Sequence, residues 1–220
     1  LANFEPTEEW LLHPGDILYV PPRIAHNGVA VGENCMTYSV GFRAPSRAEL
    51  VGGWCDDLVA DLADDDRYED PGLAAQANPG EISAEALARL HALVTKKLAD
   101  REAFARWFGG YTTTRKYPEV DWAPEVPIDR DDARALLEQG TPLLRNPASR
   151  FSFIRGEAGA VSMFVDGQAF DCDGVLAGFA EALCSEERTV VAVELVASDQ
   201  ALCLVEQLLN LGSVAFDYDG

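Results

Sequence analysis

Apolar positions change their rhythm along the chain. In residues 1–43 they fall in short runs: "DILYV" at 16–20, entered through Pro14 and Gly15 and stopped by Pro21 and Pro22, and "MTYSVGF" at 36–42, which alternates with period two. Both predict strands. From Ser46 the spacing becomes helical, with Ser46 and Glu49 in a capping-box pattern and Leu50, Val51, Trp54, Leu58 and Leu62 returning to one face. The acidic stretch at 63–72 breaks that helix. A second is expected from Ser83, striped by Leu87, Leu90, Val94 and Leu98, continuing or restarting through Phe104, Trp107 and Phe108 until Gly109 and Gly110 close it. Two such helices would serve equally to cover their own core or to join two subunits.

Residues 112–127, punctuated by Pro118, Pro124 and Pro127, predict an extended linker. Beyond it, Asp129 is placed to cap a helix through Leu137 that Gly140 and Pro142 end, and "RFSFIRG" predicts a strand. Asp166-Gly167 between two alternating runs predicts a two-residue hairpin. Asp173 is expected to cap a helix over Val175 to Leu183, and Leu202, Val205, Leu208 and Leu209 line another that Gly212 stops. Helices mixed with a hairpin in so short a module predict a small α+β domain of winged-helix type.

Charge narrows what that module can do. The chain carries 37 acidic against 17 basic residues, a net charge of −20. Such a surface repels phosphate backbones, and the module's helices carry Asp, Glu and Gln rather than a basic stripe, so direct nucleic-acid binding is not expected. A basic protein partner steered by the acidic field, or a high-salt habitat, would account for the excess. No apolar run is long enough to cross a bilayer and no signal-like segment is visible, so a cytoplasmic protein without a membrane partner is expected. The five Cys, at 35, 55, 172, 184 and 203, include no Cys-x-x-Cys pair and are expected to be reduced and buried. The opening residues read as an entry in mid-fold, so a preceding segment is expected.

Candidate chemistry centres on "GDILYVPPRIAHNG". The spacing of Gly15, Pro21 and His26 resembles the second conserved motif of the cupin superfamily, in which a strand leads to a turn that presents a metal-binding imidazole inside a barrel. Proline stiffens such a turn, leaving the His little freedom to lose on binding metal. Arg23 stands where cupins usually have Gly, and Ala30 where many have Asn. The longer stretch "PGDILYVPPRIAHNGVAVGENCMTYSVGFRAPSRAEL", with "FARWFGGY" at the end of the helical region, resembles the JmjC-type bacterial ribosomal oxygenases.

That resemblance implies a fold and an activity. The fold class is α+β: the C-terminal part of a double-stranded β-helix (cupin/JmjC) barrel in 1–43, a helical dimerisation region in 44–111, the linker 112–127, and a winged-helix-like domain in 128–220. The activity is Fe(II)- and 2-oxoglutarate-dependent hydroxylation of an arginine in a basic large-subunit ribosomal protein, by a homodimer. His26 matches the distal iron ligand, and Thr37 and Ser39, alternating on the following strand, are candidate hydroxyl partners for 2-oxoglutarate; Asn34 and Tyr38 are weaker ones. The family's His-x-Asp pair is absent; neither His13 nor His91 replaces it, so these 220 residues are expected to be inactive alone. The alternative is a non-catalytic, cupin-derived dimerisation or protein-interaction module.

Overall fold

The computed structural model describes residues 4–41, 44–63, 65–69, 72 and 77–218. The chain divides into two units, Leu1–Ala44 and Pro45–Gly220.

In the first unit the described residues form turns and bends but no strand. The expected strands at 16–20 and 36–42 are corrected accordingly; Phe42 lies outside the described residues. Ile17 is 95% exposed, and Tyr19, Tyr38 and Val40 are exposed as well. A strand persists only when its N–H and C=O groups find a ladder and one face finds cover. Among the described residues of this unit neither is supplied. Among the described residues no wall of a barrel stands around His26.

The second unit begins with three helices, α1 (Arg47–Ala60), α2 (Ala84–Leu98) and α3 (Arg101–Thr113). Their starts follow the sequence closely. Ser46 accepts the Glu49 N–H at 3.1 Å while the Glu49 carboxylate accepts the Ser46 N–H at 2.8 Å, closing the capping box. Ser83 caps α2, and Asp100 restarts the chain as α3. Burial departs from the stripes: Trp54 alone is buried on α1, and none of the residues of α2 is, with Leu87, Leu90, Val94 and Leu98 all exposed.

Gly109 and Gly110 do not close α3; they lie inside it. The reason is packing. A Cβ on Gly109 would stand 2.4 Å from the Phe164 ring, and one on Gly110 would stand 3.1 Å from the Gly167 carbonyl oxygen. Glycine here lets the helix approach the sheet, which outweighs its poor helix propensity.

The rest of the unit is α4 (Arg130–Glu138), β1 (Leu143–Arg145), β2 (Phe151–Arg155), β3 (Val161–Val165), β4 (Gln168–Cys172), α5 (Val175–Ser185), β5 (Arg188–Thr189), α6 (Val193–Val196), α7 (Asp199–Asn210) and β6 (Val214–Phe216). Two antiparallel three-stranded sheets result, ordered β5-β1-β6 and β2-β3-β4. The hairpin forms where expected, Val165 pairing Gln168 across Asp166 (φ 52°) and Gly167 (φ 89°). β3 is covered on both faces. Val161, Met163 and Val165 join the core with Leu176, Phe179 and Ala180 of α5, while Phe164, pointing the other way by strand alternation, meets α3. Leu202, Val205, Leu208 and Leu209 of α7 are buried as their spacing predicts. Asp129 caps α4, whereas Asp173 makes no side-chain cap to α5, whose N-cap is Gly174.

The Pro-rich passage after α3 has no regular structure yet is tied down. Arg115 pairs with Asp166 at 2.7 Å and donates to the Leu211 carbonyl at 2.9 Å. Gly212 is required as well, since a Cβ there would collide with the Trp122 backbone. The expected linker is thus partly pinned to the module it precedes.

Candidate functional site

The His26 loop is built from two turns. Gly15 takes φ 95°, and the neighbouring Asp16 carboxylate accepts the His13 N–H at 2.8 Å while the Asp16 N–H donates to the His13 carbonyl at 3.0 Å. The second turn runs from Pro21 to Ile24, closed by the Ile24 N–H donating to the Pro21 carbonyl at 3.3 Å. Its third position is Arg23, at φ 71°. That conformation favours glycine, so the departure from the cupin pattern falls on a position whose backbone still has the glycine geometry.

His26 itself is exposed, with Nδ1 3.1 Å from the Ile24 carbonyl. When Nδ1 carries the proton and donates to that carbonyl, Nε2 remains as an acceptor suited to a metal. Thr37 and Ser39 are exposed, as are Asn34 and Tyr38. No hydrogen bond joins any of them to His26 among the described residues. Nor do the described residues include a group of three His, Cys, Asp or Glu placed to hold a metal ion. One imidazole does not fit the requirement of an iron site, which needs a second His and a carboxylate on the same face.

The better-organised polar cluster lies at the hairpin. Burial works to raise the Asp166 carboxyl, but the hydrogen bond and charge of Arg115, the Arg150 N–H and the Ser213 and Ser149 hydroxyls together hold it below the ordinary carboxylate range. Nothing in its spacing announced this, because Arg115 and Asp166 are far apart in sequence and sat in a presumed linker and a turn. The cluster ties backbone segments together and offers no reactive atom. Burial pushes the Cys172 thiol up to about 11 and the Cys184 thiol up to about 12, which makes both poor nucleophiles. All five Cys are free thiols; the expectation of burial is met by Cys172 alone, since Cys55, Cys184 and Cys203 are half-buried and Cys35 is exposed.

Several arginines of the second unit are paired with carboxylates at its surface. Arg106, Arg130, Arg134, Arg155 and Arg188 pair with Asp171, Glu206, Asp199, Glu181 and Asp217 respectively. Among the described residues no helix is long and apolar enough to cross a membrane.

Comparison with known proteins points the same way as the loop. The JmjC domain family matches residues 1–50, and the family described as ROXA-like winged helix matches residues 96–215. The ribosomal protein uL16 3-hydroxylase of Escherichia coli K12 is 36% identical over 143 residues, which are 64% of this chain and 38% of that protein. A probable ribosomal oxygenase of Haemophilus influenzae is 30% identical over 145 residues, 59% of this chain and 33% of its own length. The chain thus matches well under half of either relative. Among solved structures, Escherichia coli ribosomal oxygenase YcfD superposes with a TM-score of 0.66 at 24% identity, covering 81% of this chain and 48% of that one. The form of YcfD in complex with cobalt and 2-oxoglutarate gives the same values. These structural likenesses speak to the fold.

Proposed function

Because the chain belongs to the JmjC/ROXA-like family of ribosomal oxygenases, with the C-terminal part of a JmjC domain in residues 1–50 followed by the family's winged helix, we propose that it serves the hydroxylation of an arginine side chain in a large-subunit ribosomal protein. The observation that carries this reading is the order of the two modules on one chain, the first in residues 1–50 and the second in residues 96–215. In this reading His26 is the distal iron ligand, and Thr37 and Ser39 hold 2-oxoglutarate. Iron would supply the oxygen chemistry, and because the sequence contains no His-x-Asp pair this reading expects the 220 residues alone neither to retain iron tightly nor to turn over. The setting is the cytoplasm, where ribosomal proteins are made, and the acidic surface steers the basic substrate.

The test is a mass measurement. Ribosomal proteins from cells with and without the gene should differ by one oxygen on a single large-subunit protein; identical masses would remove the reading. Fe(II) titration of the chain by itself should find no stoichiometric site, and peptide-dependent consumption of 2-oxoglutarate by it would overturn the claim of inactivity.

A second reading has its own observation. The Leu87, Leu90, Val94 and Leu98 stripe of α2 is exposed along its length, which suits a homodimer interface and would serve a non-catalytic interaction module equally.

A further inference from the structure

The end of α7, from Asn210 to Ser213, holds the passage between α3 and α4 at its start, its middle and its finish. At the start, Arg115 donates to the Leu211 carbonyl at 2.9 Å and to the Ser213 hydroxyl at 3.3 Å, and its guanidinium meets Asp166 at 2.7 Å. In the middle, the Trp122 backbone lies so close to Gly212 that a Cβ there would collide with it. At the finish, the Asn210 side chain accepts the Ile128 N–H and donates to the Ile128 carbonyl, both at 2.9 Å. We propose that residues 116–127 are a strap, hinged at Arg115 and caught at Ile128 by Asn210, which opens and closes over the end of α7 while the core stays folded.

The two ends are unequal, and that makes one the hinge and the other the catch. Arg115 is held by a carboxylate, a carbonyl and a hydroxyl, and its side chain and that of Asp166 are 16% and 5% exposed, so releasing it would strand a buried charge. Ile128 is held by one neutral amide through two bonds of a kind that each add only modestly to stability. The span between them is weakly anchored. Tyr117, Val120, Trp122 and Val126 are exposed, and Pro118, Pro124 and Pro127 have no N–H to donate. The Val120 N–H donates to the Tyr117 carbonyl at 3.2 Å and the Ala123 N–H to the Asp121 side chain at 2.9 Å; both bonds lie inside the strap and move with it. A segment with few buried apolar groups opens at lower cost than the core.

The flanking helices do not depend on the strap. α3 is held to the hairpin by the packing of Gly109 against Phe164 and by the Thr113 hydroxyl, which accepts the Gly167 N–H at 3.1 Å. α4 is held by buried Ala133 and Leu137 and by Arg130, 2.9 Å from Glu206. Opening is therefore confined to the span between them. What it releases is the Asn210 amide, on the wall of a cavity of about 500 Å³ that Arg130, Cys203 and Gln207 also line, so the state of the strap changes that wall.

The test is hydrogen exchange at single amides of the whole chain, followed as urea is raised below the unfolding transition. The Ile128 amide should exchange at least about a hundredfold faster than those of Phe164 and Val205 and keep its rate as urea rises, because a local opening exposes little surface, whereas the core amides should quicken steeply. Asn210→Ala should speed Ile128 by about tenfold or more through the loss of two hydrogen bonds, leaving Phe164 and Val205 within about twofold. Gln207→Ala, an exposed change one turn earlier on α7, should leave Ile128 unaltered. Ile128 exchanging with the core, at the same rate and the same urea dependence, would make the strap part of the global unit and overturn the proposal without recourse to any variant. Equal acceleration of all three amides in Asn210→Ala, or none at Ile128, would overturn it as well. These amides report opening and not turnover, so the outcome is independent of the hydroxylation reading.

Discussion

The stretch from 16 to 20 and strand β3 are written in the same alphabet, "DILYV" and "VSMFV", and end in opposite conditions. In the first, Ile17 and Tyr19 are exposed and no ladder forms among the described residues; in the second, Met163, Phe164 and Val165 are at 0% exposure between two paired strands. The difference is in their company. β3 has β2 on one side and β4 two turn residues away, while α3 and α5 close its faces. An apolar run therefore specifies what a strand wants to bury, and neighbours within reach decide whether it does.

Substitutions can break this comparison, beginning with the largest expected effect. Leu208→Ala in the core of α7 should cost about 2–5 kcal/mol, whereas Ile17→Ala should stay within about 0.5 kcal/mol, both read by chemical denaturation. A comparable loss at the two positions would mean that the first unit shares the cooperative core. Arg115→Met leaves the Asp166 carboxylate, whose side chain is 5% exposed, without its cation, and should cost about 3–5 kcal/mol. Gly109→Ala forces a methyl into the Phe164 ring and should cost about 1–3 kcal/mol by overpacking; Gly178→Ala, in a helix with open space around it, should instead stabilise by about 0.4–1 kcal/mol.

Acid gives the next test. The folded carboxyl of Asp166 titrates below its unfolded range, so the unfolded chain binds the extra proton first. Its contribution is present in full above the ordinary carboxylate pKa of 3.8 and is lost as pH falls through the lower folded value. Denaturation followed from neutral pH down to below that range should show a shallower loss in Asp166→Asn than in the parent. The smallest effect is expected at Arg23→Gly, which relieves a left-handed residue in a unit whose described residues include no buried core, and should leave the melting temperature unchanged.

Much of the wing was legible because its signals are local. Asp166-Gly167 fixes a hairpin register by itself, Ser46 with Glu49 fixes a helix start, and the α7 stripe needs only its own period of 3.6. What escaped was set by distant groups. The Gly109–Gly110 pair looks like a helix stop until Phe164 is brought against it, and β1, β5 and β6, at two or three residues each, are too short for alternation to show. The same holds for chemistry: the spacing of Gly15, Pro21 and His26 marked the loop, and Arg23 occupies the glycine-like turn position, but an iron site is a convergence of side chains that one loop cannot supply.

Hydrogen exchange resolved by segment tests the central contrast most directly. Amides of residues 16–20 and 36–41 should exchange at the rate of an unstructured peptide, with or without Fe(II), while those of β3 and α7 should be protected to the level of global unfolding. Protection of the His26 loop matching that of β3, or protection appearing there when Fe(II) is added, would contradict the account.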